Sequence, residues 1–158
     1  MSRYAKDTSV SVSNSKAEIE RILERYGASQ FMSGWDAEKA MLAFGMQGRQ
    51  VRFVLPMPSR SEKRFTHHSR GVRTPEAAQK EWEQACRQRW RALALVVKAK
   101  LEAVEVGISE FEDEFLANIV MPDGLTVGQQ ARPMIAHAYA NPGDVRALLP
   151  DYSKGEQQ

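Results

Sequence analysis

Between Thr74 and Val106 the chain carries no glycine, and its one proline, Pro75, stands at the very start. Within that stretch Trp82, Cys86, Trp90, Leu93, Val97, Leu101 and Val104 recur at intervals of three and four residues. That spacing stacks side chains on one face of an α-helix. Thr74 as N-cap, Pro75 in the first position and Glu76 in the first turn form a start signal. Gly107 is a stop, because glycine takes the left-handed conformation that ends helices. Roughly 33 residues at 1.5 Å each make about 50 Å. A globule of 158 residues has a diameter of about 40 Å, so this helix spans the molecule. Either it bends or a partner covers its end.

The segments before it read differently. Thr8–Ser13 alternates polar and β-branched residues, which predicts a short half-buried strand. Ser15 and Glu18 have capping-box spacing, and Ala17, Ile19, Ile22, Leu23 and Tyr26 share a helical face that ends at Gly27, so a short helix is predicted over 15–26. From 29 to 55 the period becomes two. Phe31–Trp35, Ala40–Met46 and Val51–Leu55 read as antiparallel strands, with a turn at Asp36–Glu38 and a two-residue turn at Gln47-Gly48. Pro56 and Pro58 end the meander, since proline cannot donate to a sheet ladder.

Residues 56–73 show no periodicity and read as a mobile basic loop. After the long helix, Ser109 with Glu112 predicts a capping box for a short amphipathic helix through Phe111, Phe115, Leu116 and Ile119. Thr126 with Gln129 predicts another, opening a helix to about Tyr139 with Pro133 near its first turns. The expected fold is therefore α+β: an antiparallel β-meander of three to four strands packed with a short N-terminal helix, one long central helix and two short C-terminal helices. Residues 1–150 form one domain and 151–158 a frayed tail.

Composition narrows the function classes. One cysteine excludes an internal disulfide framework and a Cys-only zinc site. No apolar run approaches the roughly 18 residues of a membrane span, and the first residues lack the apolar core of a signal peptide, so a soluble cytoplasmic protein is expected. The 22 Lys and Arg against 20 Asp and Glu look neutral, yet the charges are partitioned. Residues 49–100 hold thirteen basic and four acidic side chains, and residues 101–128 hold seven acids and no Lys or Arg. Either the acidic block neutralises the basic one, within the fold or across a self-interface, or the basic block faces phosphates.

The residues that would face phosphates are Arg49 and Arg52 of the hairpin, Arg60, Lys63, Arg64, Arg70 and Arg73 of the loop, and Lys80, Arg87, Arg91 and Lys98 at helical spacing. Phosphate binding needs such a surface because counterion release supplies most sequence-independent affinity. Phe65, His67 and His68 offer rings for stacking on unpaired bases. Catalytic signals are weak. His67 and His68 have no third ligand at metal spacing, since His137 and Cys86 lie far away in sequence. Glu110, Glu112, Asp113 and Glu114 lack the second carboxylate set that a magnesium nuclease needs. Cys86 lies on the apolar stripe as a packed thiol. No metal or cofactor is expected.

Lys16-Ala-Glu-Ile-Glu-Arg21 with Tyr26-Gly27, Val51-Arg-Phe-Val-Leu-Pro56, Trp82 to Leu93 and Leu125-Thr-Val-Gly128 together give the chain a familiar look. It resembles a family of small, functionally uncharacterised proteins of tailed phages and prophages of Gram-negative bacteria, over most of its length. The resemblance implies a phage-encoded protein made in the host cytoplasm, serving replication, recombination or host interference, and it brings no site residues with it. At fold level a meander, basic loop and long helix are similar in outline to phage single-strand annealing proteins, without their motifs. The expected function is non-catalytic binding of nucleic acid, with single-stranded DNA preferred. The alternative is a protein-interaction module, acting on a host or phage protein or assembling with itself as a homo-oligomer.

Overall fold

The computed structural model of the chain describes the backbone of residues 3–144, 147 and 149, and within that range side chains from Val12 onward. The tail 151–158 lies outside the described residues. Gln47 and Gly48 take φ of 50° and 73°, the left-handed pair that a two-residue type I′ turn requires. This turn joins β2 (Lys39–Met46) to β3 (Arg49–Pro56), and β1 (Gln30–Trp35) pairs antiparallel with the other side of β2. The result is the expected meander, with β1 and β3 at its edges. Period-two patterning selects its faces. Ala40, Leu42, Phe44, Val51 and Phe53 are buried on one face, whereas Met32 and Val54 are exposed on the other.

The buried face is covered by two helices, α1 (Arg3–Arg25) and α3 (Pro75–Glu105). Lys16 Nζ stands 4.9 Å from the centre of the Trp90 ring, and the Tyr26 hydroxyl donates to Glu102 at 2.7 Å. Ten residues along α1 thus match twelve along α3, so the two helices run parallel, side by side. Ile19, Leu23, Trp90, Val97 and Leu101 fill the layer between helices and sheet. α3 begins as its sequence dictates: Thr74 Oγ1 accepts from the Ala77 amide at 3.2 Å, and Pro75 follows. Residues 56–73 pack on α3 at Trp82 and Arg89, and residues 110–115 at Lys100.

Four local expectations are corrected. Thr8–Ser13 is not a strand but part of α1. Val12 lies four residues before Lys16 and seven before Ile19, so a helical register, unlike an extended one, carries it onto the core it packs against. Ser15 and Glu18 accordingly sit inside a helix and cap nothing. The Ser109–Glu112 capping box does not form. Ser109 Oγ donates to Glu110 O, and Glu110 is the N-cap, without a side-chain bond.

The predicted single helix over 111–119 is broken into α4 (Phe111–Glu114) and a 3-10 turn, Leu116–Asn118. Burying Phe111, Phe115 and Ile119 while delivering Ile119 and Val120 to the β3 edge requires that break. Phe115, fully buried, meets Phe44 and Phe53 edge-on, at 5.6 and 6.3 Å between ring centres. The Thr126–Gln129 capping box is present and opens α5 (Val127–Ala140).

Candidate nucleic-acid interface

Residues 56–73 carry more structure than their lack of periodicity predicts. They contain α2 (Lys63–Thr66) and a small hairpin of β4 (His67–His68) and β5 (Gly71–Val72). Four contacts pin the segment to α3 and to itself. Trp82 Nε1 donates to Pro58 O at 2.7 Å, Arg89 to Pro56 O at 2.7 Å, and Arg73 to Arg64 O at 2.7 Å, while Phe65 is buried, 4% exposed. Long-range side-chain contacts of this kind leave no periodic trace, which is why the sequence reads as structureless here.

This anchoring divides the expected ligand-facing residues. Arg60, Lys63, Arg64, His67, His68 and Arg70 are all exposed on the segment. Arg60 lies over the Trp82 ring, 4.1 Å from its centre. Arg64 Nε binds Glu62 Oε2 at 2.6 Å. Desolvation pushes the Glu62 carboxyl up, but the Arg64 guanidinium and the Ser59 amide outweigh it and hold it below the usual range. His68 Nδ1 accepts from the Arg70 amide, and His67 Nδ1 is bonded to Thr66 Oγ1. Phe65 is corrected: buried under the segment, it is not available for base stacking. Arg73 is likewise occupied, holding the carbonyls of Arg64 and Phe65.

The hairpin and helix cations lie elsewhere. Arg49 pairs with Glu112 at 2.8 Å, and Arg52 donates to Gly124 O and Gln129 Oε1, so both tie the C-terminal part of the chain to the sheet. At about 100° per residue, Lys80, Arg87, Arg91 and Lys98 fall on the opposite side of α3 from Trp82, the flank along which α1 runs. The single continuous positive surface drawn from sequence is therefore split in two. One set is the anchored segment; the other is a helical stripe beside α1.

The acidic block leaves the segment's charge uncovered. Trp82 fixes the basic segment to α3, and Lys100, donating to Glu114 O at 2.7 Å, fixes the acidic one. The nearer anchor of the basic segment, Arg89 on Pro56 O, stands 11 residues from Lys100, about 17 Å along the helix, or roughly two Debye lengths at physiological salt. Only the Arg49–Glu112 pair joins the two blocks directly among the described ion pairs.

Burial pushes the Cys86 thiol up, which leaves it an inert packing group. Glu83, also buried, accepts from Gln79 Nε2. An open depression of about 390 Å³ over the outer sheet face is lined by Met32, Met41, Ala43 and Val120 with Gln30, Gln50 and Arg52, and no carboxylate, histidine or cysteine lines it. Among the described residues no three His, Cys, Asp or Glu side chains cluster as metal ligands, and no helix is long and apolar enough to cross a membrane. Compared with protein-family models, curated proteins and solved structures, the chain matches none.

Proposed function

We propose that the protein binds single-stranded nucleic acid without catalysis, through Arg60, Lys63, Arg64 and Arg70, with His67 and His68 beside them. One observation carries this reading: a basic segment docked on α3 through Trp82 and Arg89, with no ion pair to the acids of residues 102–123 among the described ones. Among the described ion pairs only Arg64 of these cations is engaged, with Glu62; the others are available for phosphates, and counterion release supplies the affinity. Pre-ordering the segment lowers the entropy cost of binding. A role as a phage accessory protein in the host cytoplasm, in replication or recombination, rests on the sequence resemblance.

Anisotropy of a labelled single-stranded oligonucleotide across a salt series tests the reading. Four phosphate contacts give a slope of about −3 in log K against log salt, and Arg70→Ala lowers its magnitude by about 0.7. Absent affinity at low salt, or affinity indifferent to salt, overturns it.

A further inference from the structure

We propose that the protein forms a two-fold dimer by antiparallel pairing of β1 with β1 of a second copy. The hydrogen-bond pattern identifies which groups are free. The Asp36 amide donates to Lys39 O, so position 36 pairs inward with β2. Because antiparallel ladders alternate, Gln30, Met32 and Gly34 also point inward, and the N–H and C=O groups of Phe31, Ser33 and Trp35 point away from the sheet. Among the described residues no strand pairs with that edge. From Gln30 to Trp35 the edge carries no charge and no proline, devices that normally block pairing, and its register with β2 is unbroken. It also exposes what water tolerates least, with Trp35 at 78% and Met32 at 61% exposure.

The occupant follows from the strand's self-complementarity. A two-fold axis through Ser33 places Ser33 opposite itself, Phe31 opposite Trp35, and Met32 opposite Gly34. All outward groups of the three residues are then bonded, about six hydrogen bonds in total. The ring pair Phe31–Trp35 forms twice, and aromatic cross-strand pairs are favourable. Met32 needs room above Gly34, and it is there, since a Cβ on Gly34 would meet no atom within 4 Å. No like charges come together. Pairing stops at two copies because three of the four outward carbonyls of the other sheet edge are taken: Val120 N–H bonds Gln50 O, Asn118 Nδ2 bonds Arg52 O, and Arg89 bonds Pro56 O. This inference is independent of nucleic-acid binding, and its test contains no nucleic acid.

Sedimentation of the nuclease-treated full chain at high salt, over a micromolar concentration series, reads the mass directly. Wild type is expected to double its mass as concentration rises. Ser33→Lys and Ser33→Asp, each at an exposed position, are expected to remain monomeric alone because like charges face across the axis. Mixed together they are expected to form a dimer. A monomeric wild type overturns the proposal, and so does a dimer that both variants retain. Folding of each variant is checked by its circular dichroism. If the charged variants do not fold, Ser33→Cys decides: residues paired this way lie within disulfide reach, and mild oxidation is expected to give a covalent dimer. Failure to cross-link then overturns the proposal.

Discussion

Along β3 the outward carbonyls of Gln50, Arg52 and Pro56 accept bonds from Val120, Asn118 and Arg89. Along β1 the outward groups of Phe31, Ser33 and Trp35 meet nothing among the described residues. Both edges belong to one three-stranded meander; β3 carries Arg49, Arg52 and Pro56, whereas β1 carries no charge and no proline. The difference comes from chain that follows much later. Residues 116–120 pass β3 because Phe115 is buried against Phe44 and Phe53, and that anchor brings Asn118 and Val120 to the strand. A sheet edge is thus closed by a side-chain core contact nearby, and among the described residues nothing bonds the outer edge of β1.

The largest expected effect is at the anchor of the closed edge. Phe115→Ala removes a fully buried ring and is expected to cost about 3–5 kcal/mol in denaturant unfolding. Phe31→Ala, at the half-buried open edge, is expected to cost clearly less. Equal losses would erase the contrast. Next, a Cβ on Gly128 would come within 2.9 Å of Ala117 O, where α5 packs on the turn that closes β3. Gly128→Val is expected to cost about 1–3 kcal/mol, read from the unfolding midpoint. Asn118→Ala leaves the part-buried Arg52 carbonyl without its side-chain donor. A loss of about 1 kcal/mol is expected, with amide exchange along the β3 side rising while β1 is unchanged.

The smallest effect belongs to the β1–β2 turn. The Glu38 and Lys39 amides donate to Asp36 and hold its carboxyl below the usual range. A lowered folded value means stabilisation that is fully present above the unfolded value and is lost as pH falls through the folded one. Stability is therefore expected to decline slightly less in Asp36→Ala than in wild type as pH drops below about 4. Parallel pH curves for the two proteins would contradict it.

What was legible in the sequence was local. The α3 stripe, its Thr74 cap, the Gln47-Gly48 turn and the Thr126–Gln129 box each depend on neighbours within a few residues, and each is present. The failures have two causes. At Thr8–Ser13 and Ser15–Glu18 a short pattern imitated a strand and a cap, and a long helix packed on α3 overrode both. At Ser109–Glu112 and residues 56–73, tertiary anchors imposed by Phe115, Trp82 and Arg89 outweighed local preference. The candidate interface was legible as residue types, but not as a surface. Phe65, Arg49, Arg52 and Arg73 carry the right chemistry, yet burial or internal bonding occupies them.

The sequence by itself determined the α+β class, the helix that spans the molecule and the partition of charge into a basic and an acidic block. Periodicity, caps and turn residues act over a few positions, and composition is fixed at any folding. Only the tertiary structure decided that Arg49 pairs with Glu112 while residues 56–73 are held on α3 by Trp82 and Arg89, and that β3 has partners along its outer edge where, among the described residues, β1 has none. Those outcomes depend on contacts such as Asn118 with Arg52, 66 residues apart. Such contacts form when buried rings find a common core, and no local pattern records where that core will bring them.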